Sequence, residues 1–170
     1  MKFHLVDRIK SIEPGRRIVT IKALSLAEEY LADHFPAFPV LPGVLMIEAM
    51  VQSAAWLVRV HQDFACSVVM LQAARNVKYT HFVQPGHILR CEVTAVEIGE
   101  SSARFKAAGF VGDRQAVSGR LDLRCLNLAG RRGCGPETDR AIVEQLREQF
   151  RLIGGPAALA AGQGPRPGAE

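Results

Sequence analysis

The chain has 170 residues, 48% of them apolar, which is enough to bury one substantial core but hardly two. Its net charge of +4 is mild, its basic residues are interspersed with acids, and aromatics make up only 6%. That pattern argues against nucleic-acid binding. The start, Met1 to Asp7, lacks an apolar stretch of the secretory kind, so a cytoplasmic protein is expected. The longest apolar run, Val44 to Val58, is short for a membrane span and carries Glu48 and Gln52. The four cysteines are widely scattered, with neither a C-x-x-C pair nor zinc-finger spacing.

In chain order, Phe3 to Ile12 reads as a strand or extended arm, and Pro14-Gly15 as a turn. The β-branched run Arg17 to Leu24 reads as a strand. Ser25 with Glu28 three residues later matches a capping box, which predicts a short helix to about Ala32. A stiff loop with three prolines follows from His34 to Gly43. Val44 to Val60 predicts one long helix, apolar on nearly every face and therefore buried. Glu48 and Gln52 stand one turn apart on it, with Trp56 one turn further. The chain then turns to β: Cys66 to Ala73, Val77 to Val83, Ile88 to Ile98, Ala103 to Val111 and Ala116 to Leu128, with Gly112-Asp113 as a hairpin turn. After a linker at Gly130 to Pro136, Thr138 to Leu152 has helical apolar spacing, and the Gly/Ala/Pro-rich stretch from Gly154 reads as a flexible tail. These elements predict an α+β domain over residues 1–129, a curved antiparallel sheet wrapped around one buried helix, with an extension over 130–170. An uncovered edge strand favours a symmetric dimer.

The chemistry concentrates between His34 and Gln52. An imidazole on a rigid loop is suited to taking a proton near neutral pH. A carboxyl among apolar residues, here Glu48, suits a general acid. The first N–H groups of the long helix, at Gly43 and Val44, have no partners within the helix, and a glycine there admits close approach of a substrate carbonyl. Such donors stabilise charge that develops on a thioester oxygen. The set therefore reads as proton abstraction beside a carbonyl by His34, with Glu48 protonating a departing β-hydroxyl. His81 and His87 have no metal-ligand spacing, and Tyr79 and Phe82 read as core packing in preference to gating an acyl tunnel.

The order of residues from His34 to Gln52, H-F-P-x-x-P-V-x-P-G-V-L-x-x-E-A-x-x-Q, resembles the active-site signature of the β-hydroxyacyl-(acyl-carrier-protein) dehydratases of fatty-acid synthesis. A weaker likeness runs from Leu5-Val6-Asp7-Arg8-Ile9 to about Leu128 and includes Val83-Gln84-Pro85-Gly86. The resemblance implies a hotdog fold and a homodimer, in which His34 of one chain faces the other chain's Glu48. It also implies that the Gly43 N–H contacts the thioester carbonyl. Glu rather than Asp at position 48 is similar to the branch that does not isomerise the double bond and often forms trimers of dimers. The implied substrate is a (3R)-3-hydroxyacyl chain on acyl carrier protein, or on coenzyme A, with no metal or organic cofactor. Asp33, Arg75-Asn76, His87 and the tail from Gly130 depart from the family pattern, which bears on substrate and assembly. The alternatives are a hotdog thioesterase and a non-catalytic acyl-binding relative.

Overall fold

The computed structural model describes residues 4–34, 37–131 and 133–162. In chain order its strands are β1 (Arg8–Glu13), β2 (Arg17–Ala23), β3 (Val68–Tyr79), β4 (Ile88–Ile98), β5 (Ser102–Val111) and β6 (Arg114–Leu126). Its helices are α1 (Gly43–His61), α2 (Pro136–Leu152) and α3 (Gly155–Gly162), with a single 3-10 turn at Glu29–Leu31. The strands form one antiparallel sheet in the order β1-β2-β4-β5-β6-β3.

Alternation explains which way the sheet faces. On β4, Leu89, Cys91 and Val93 are buried while Arg90, Glu92 and Thr94 are more open, and β5 and β6 bury Phe105, Leu121 and Leu123 in the same way. The face so made meets Met46, Ala49, Met50, Ala54, Leu57 and Val58 of α1. Each buried Met, Leu or Val among these contributes about 1.5–3 kcal/mol, so the helix is held by its contact with the sheet. One buried polar link joins them: the Thr20 and Ser53 hydroxyls lie 2.6 Å apart, and Ser53 donates to the Ala49 carbonyl at 2.7 Å. By length and composition α1 is apolar enough to cross a membrane, but its residues serve as the core of the sheet. This is the α+β hotdog architecture expected from the sequence.

Three local expectations are corrected. The Ser25 capping box does not start a helix. Ser25 Oγ accepts the Ala27 N–H at 3.2 Å, and Glu28 Oε1 instead accepts from Lys22 Nζ at 2.6 Å, leaving only the Glu29–Leu31 turn. The two strands read over Cys66–Ala73 and Val77–Val83 are one strand, β3. Its register against β6 shifts between Arg75 and Lys78, where Asn76 has φ +52°, a left-handed conformation that Asn tolerates. Residues 80–83 lie beyond that strand in a loop. The stretch from Gly154, read as a flexible tail, forms α3 as far as Gly162 and lies against β1. Phe3 of the expected arm and residues 163–170 of the expected tail lie outside the described residues.

The C-terminal helices are docked by specific side chains. Asp139 on α2 accepts the Leu128 and Ala129 N–H groups, both at 2.8 Å, and the Ser67 hydroxyl. Those bonds, with Ser67's the largest, hold its carboxyl below the usual Asp value. Arg147 donates to Asp63 and lies over the Phe64 ring. The Ile9 N–H donates to the Ile153 carbonyl at 2.8 Å, so the segment before α3 also bonds to the edge strand β1. Phe150 is only 7% exposed and has the Trp56 and Phe64 rings each 5.8 Å away. Phe150→Ala is expected to destabilise the fold by about 3–5 kcal/mol, measured by urea unfolding. A loss under about 1 kcal/mol would mean that α2 is not part of the cooperative core.

Candidate active site

The loop before α1 is anchored at both ends. The His34 N–H donates to the Tyr30 carbonyl at 3.2 Å, and the Leu41 N–H to the Val83 carbonyl at 2.8 Å. Val40, Leu41 and Pro42 are buried, while Phe35 and Pro36 of the motif lie outside the described residues. Pro42 is the N-cap of α1, with φ −53° and ψ 137°, and its carbonyl accepts the Leu45 and Met46 N–H groups at 2.9 and 3.1 Å. The Gly43 and Val44 N–H groups have no hydrogen-bond partner among the described residues, the usual state of a helix's first donors.

A cavity of about 470 Å³ opens here, walled by His34, Leu41, Gly43, Met46, Tyr79 and Phe82 among others. It brings His34 and Gly43 together. Val44 does not line it and is 70% exposed. Glu48 does not line it either. Tyr79 and Phe82, read from sequence as core, are instead 50% and 58% exposed and form part of the wall, with Phe82 edge-on to Phe38 at 5.5 Å. His81 lines the cavity as well.

Gly43 has a second use that its sequence position does not reveal. A Cβ there would fall 2.9 Å from Tyr79 Cε1, so the bare Cα makes room for the ring. The methyl of Gly43→Ala would crowd this half-exposed ring in the cavity wall. The expected result is a fold that melts nearly as before but loses roughly ten- to hundredfold in turnover, the scale of an ångström-level misplacement. Unchanged kinetics would show that the Tyr79 ring moves away from the reacting atoms.

Glu48 is half-buried and oriented by its neighbours. Gln52 Oε1 accepts the Leu5 N–H at 2.9 Å, which turns the amide so that Nε2 donates to Glu48 Oε1 at 3.0 Å. A backbone N–H can only donate, so it fixes which end of Gln52 faces the carboxylate. The Glu48–Gln52 pairing was readable from their spacing of one helical turn. The Leu5 contribution was not, because a backbone group leaves no mark in the sequence. Elsewhere, a groove of about 710 Å³ beside α2 has Phe64, Asp139 and Arg147 in its wall, and Asp139 and Arg147 are already committed to docking the helix.

Comparison with known proteins identifies the family. The FabA-like domain matches residues 1–120. The chain is similar to the 3-hydroxyacyl-[acyl-carrier-protein] dehydratase FabZ of Clostridium kluyveri, with 34% identity over 119 residues that cover 70% of this chain and 83% of that protein. It is 38% identical to the protein of the same name from Pelotomaculum thermopropionicum, over 70% of this chain and 85% of that one. Among solved structures, the dehydratase heterocomplex ApeI:P from Xenorhabdus doucetiae shares the fold, with a TM-score of 0.62 and 20% identity over 73% of this chain and 84% of that one. A match over most of the chain, with His34 and Gly43 meeting in one cavity, places this protein in the FabA-like family.

Proposed function

We infer that the protein is a 3-hydroxyacyl-(acyl-carrier-protein) dehydratase, converting a (3R)-3-hydroxyacyl thioester to the trans-2-enoyl thioester in fatty-acid or related lipid synthesis. The observation that carries this is the cavity shared by His34 and the unpartnered N-terminus of α1. His34 takes a C2 proton, and the electron pair moves into the thioester carbonyl. The N–H groups of Gly43 and Val44 stabilise the enolate oxygen. The pair then returns to form the C2–C3 double bond as the C3–O bond breaks. Glu48 gives its proton to the departing hydroxyl, which leaves as water.

Within one chain Glu48 stands outside the His34 cavity, so the reading requires the partner's Glu48 to complete the site. Exposed Val44, Met70, Tyr79 and Phe82 supply apolar surface for a second copy, and β3 is an edge strand with β6 as its one strand neighbour. Trimers of such dimers fit the Glu-type branch. Residues 1–129 would carry the reaction, in the cytoplasm, with 130–170 as an extension. A 3-hydroxyacyl carrier protein incubated with the enzyme and read by mass spectrometry should lose one water with its thioester intact. Release of free acid and free carrier thiol would favour the thioesterase alternative.

A further inference from the structure

Lys22 is a cation on the inner face of the sheet, in line with Ile18 and Thr20, and is 5% exposed. It does not touch the cavity that holds His34. Its ammonium meets Glu28 Oε1 at 2.6 Å and Asp7 Oδ2 at 3.5 Å, and Asp7 Oδ2 also accepts the Ala23 N–H at 2.7 Å. A lysine this deeply buried needs its partners, so the contacts hold three segments in fixed relation: the arm bearing Asp7, strand β2, and the segment bearing Glu28.

That last segment is the one that delivers His34. Between the end of β2 and His34 its only regular structure is the Glu29–Leu31 turn, and Leu26 stands exposed. It is held by the Leu24 N–H to the His87 carbonyl at 3.0 Å, by buried Leu31, and by the Lys22–Glu28 pair. From Glu28 the backbone passes the restraint onward: the Leu31 N–H donates to the Glu28 carbonyl at 3.0 Å, and the His34 N–H to the Tyr30 carbonyl at 3.2 Å. The Tyr30 phenol is held above its ordinary value by burial and by the adjacent Glu28 charge, so it stays neutral beside the pair.

We propose that Lys22 is a positioning residue for the base: through its buried pair with Glu28 it locks the Leu24–Asp33 segment to the sheet and so sets where His34 stands. This rests on the reading of His34 as the base. The same arm also holds Glu48, since the Leu5 N–H orients Gln52, so Leu5 to Asp7 braces both reacting side chains from one short segment.

The test compares full-length Lys22→Met, Glu28→Gln and the double variant with wild type. The readouts are kcat and KM, the thermal midpoint, and the His34 ring signal in NMR, assigned by its loss in His34→Ala. Lys22→Met should lower kcat roughly tenfold or more with KM within about threefold, and should shift and broaden the His34 signal while leaving that of His61 unchanged. The double variant removes a carboxylate left without its cation, so it should regain much of the thermal midpoint while kcat stays low. An undisturbed His34 signal, or a kcat that recovers in step with the thermal midpoint, would reduce Lys22 to a structural ion pair and overturn the proposal. A wild-type enzyme inactive on every 3-hydroxyacyl thioester would instead refute the assignment of His34 as base. The NMR comparison would still decide whether Lys22 positions it.

Discussion

His34→Ala should lower kcat for dehydration by about 10³-fold, equivalent to roughly 4 kcal/mol of lost barrier reduction, with KM little changed. The size follows from losing the group that takes the C2 proton while the cavity wall and the helix donors remain. The case has an internal control, because His81 also lines the cavity. If proximity of any imidazole were enough, His81 would substitute and the loss would be small. Its backbone N–H, however, donates to the Ala116 carbonyl of β6 at 3.3 Å, so it is carried by a different segment from His34. His81→Ala is therefore expected to change kcat only a few-fold, well below the general-base range. Purified variants, checked for fold by circular dichroism and compared at saturating substrate, give the measurement. Equal losses for the two histidines would contradict the assignment.

Glu48→Gln should cost about 10²–10³-fold, since it keeps the shape of the side chain and removes the proton donor. It also changes the local hydrogen bonding. Gln52 Nε2 can still donate to the new amide oxygen, so the Leu5–Gln52 link should persist and the fold should melt close to wild type. The larger consequence concerns assembly. If each site combines His34 of one chain with the partner's Glu48, co-expressing His34→Ala and Glu48→Gln chains produces mixed dimers with one intact site. Random pairing makes half the dimers mixed, so activity should return to about a quarter of wild type. A site built within one chain predicts no recovery at all.

The long elements were readable because their patterns are unbroken. Ile88 to Ile98 alternates well, most regularly as far as Thr94, and the strand has those ends. The run after Gly43 is apolar at helical spacing on all faces, and α1 occupies it. The failures share a cause: tertiary partners outbid the local signal. Glu28 was read as a capping residue, but a buried Lys22 takes its carboxylate. Cys66 to Ala73 and Val77 to Val83 were read as separate strands, yet Asn76 between them adopts a left-handed conformation and pairing with β6 continues to Tyr79. The small residues after Gly154 read as a flexible tail. They form a helix whose small side chains permit close approach to β1: a Cβ at Gly162 would fall 2.2 Å from the Ile12 carbonyl oxygen.

At the site, the reach of sequence was similar. The helix-start donors and the Glu48–Gln52 pair followed from spacing, and the shared cavity of His34 and Gly43 followed from the motif that joins them. The core-packing reading of Tyr79 and Phe82 failed because β3 ends at Tyr79 and leaves Phe82 in the loop beyond it. Val44 entered the expectations through its N–H, and that donor stands at the helix start although Val44 is not part of the cavity wall.

The most direct measurement follows the conjugated enoyl thioester by its ultraviolet absorbance, starting from a 3-hydroxyacyl carrier protein, with wild type, His34→Ala and Glu48→Gln in parallel. The account predicts a signal that rises to a hydration equilibrium with wild type and falls by orders of magnitude in rate with either variant. Folded, dimeric wild type that forms no enoyl product from any chain length, or variants that match it, would contradict the account.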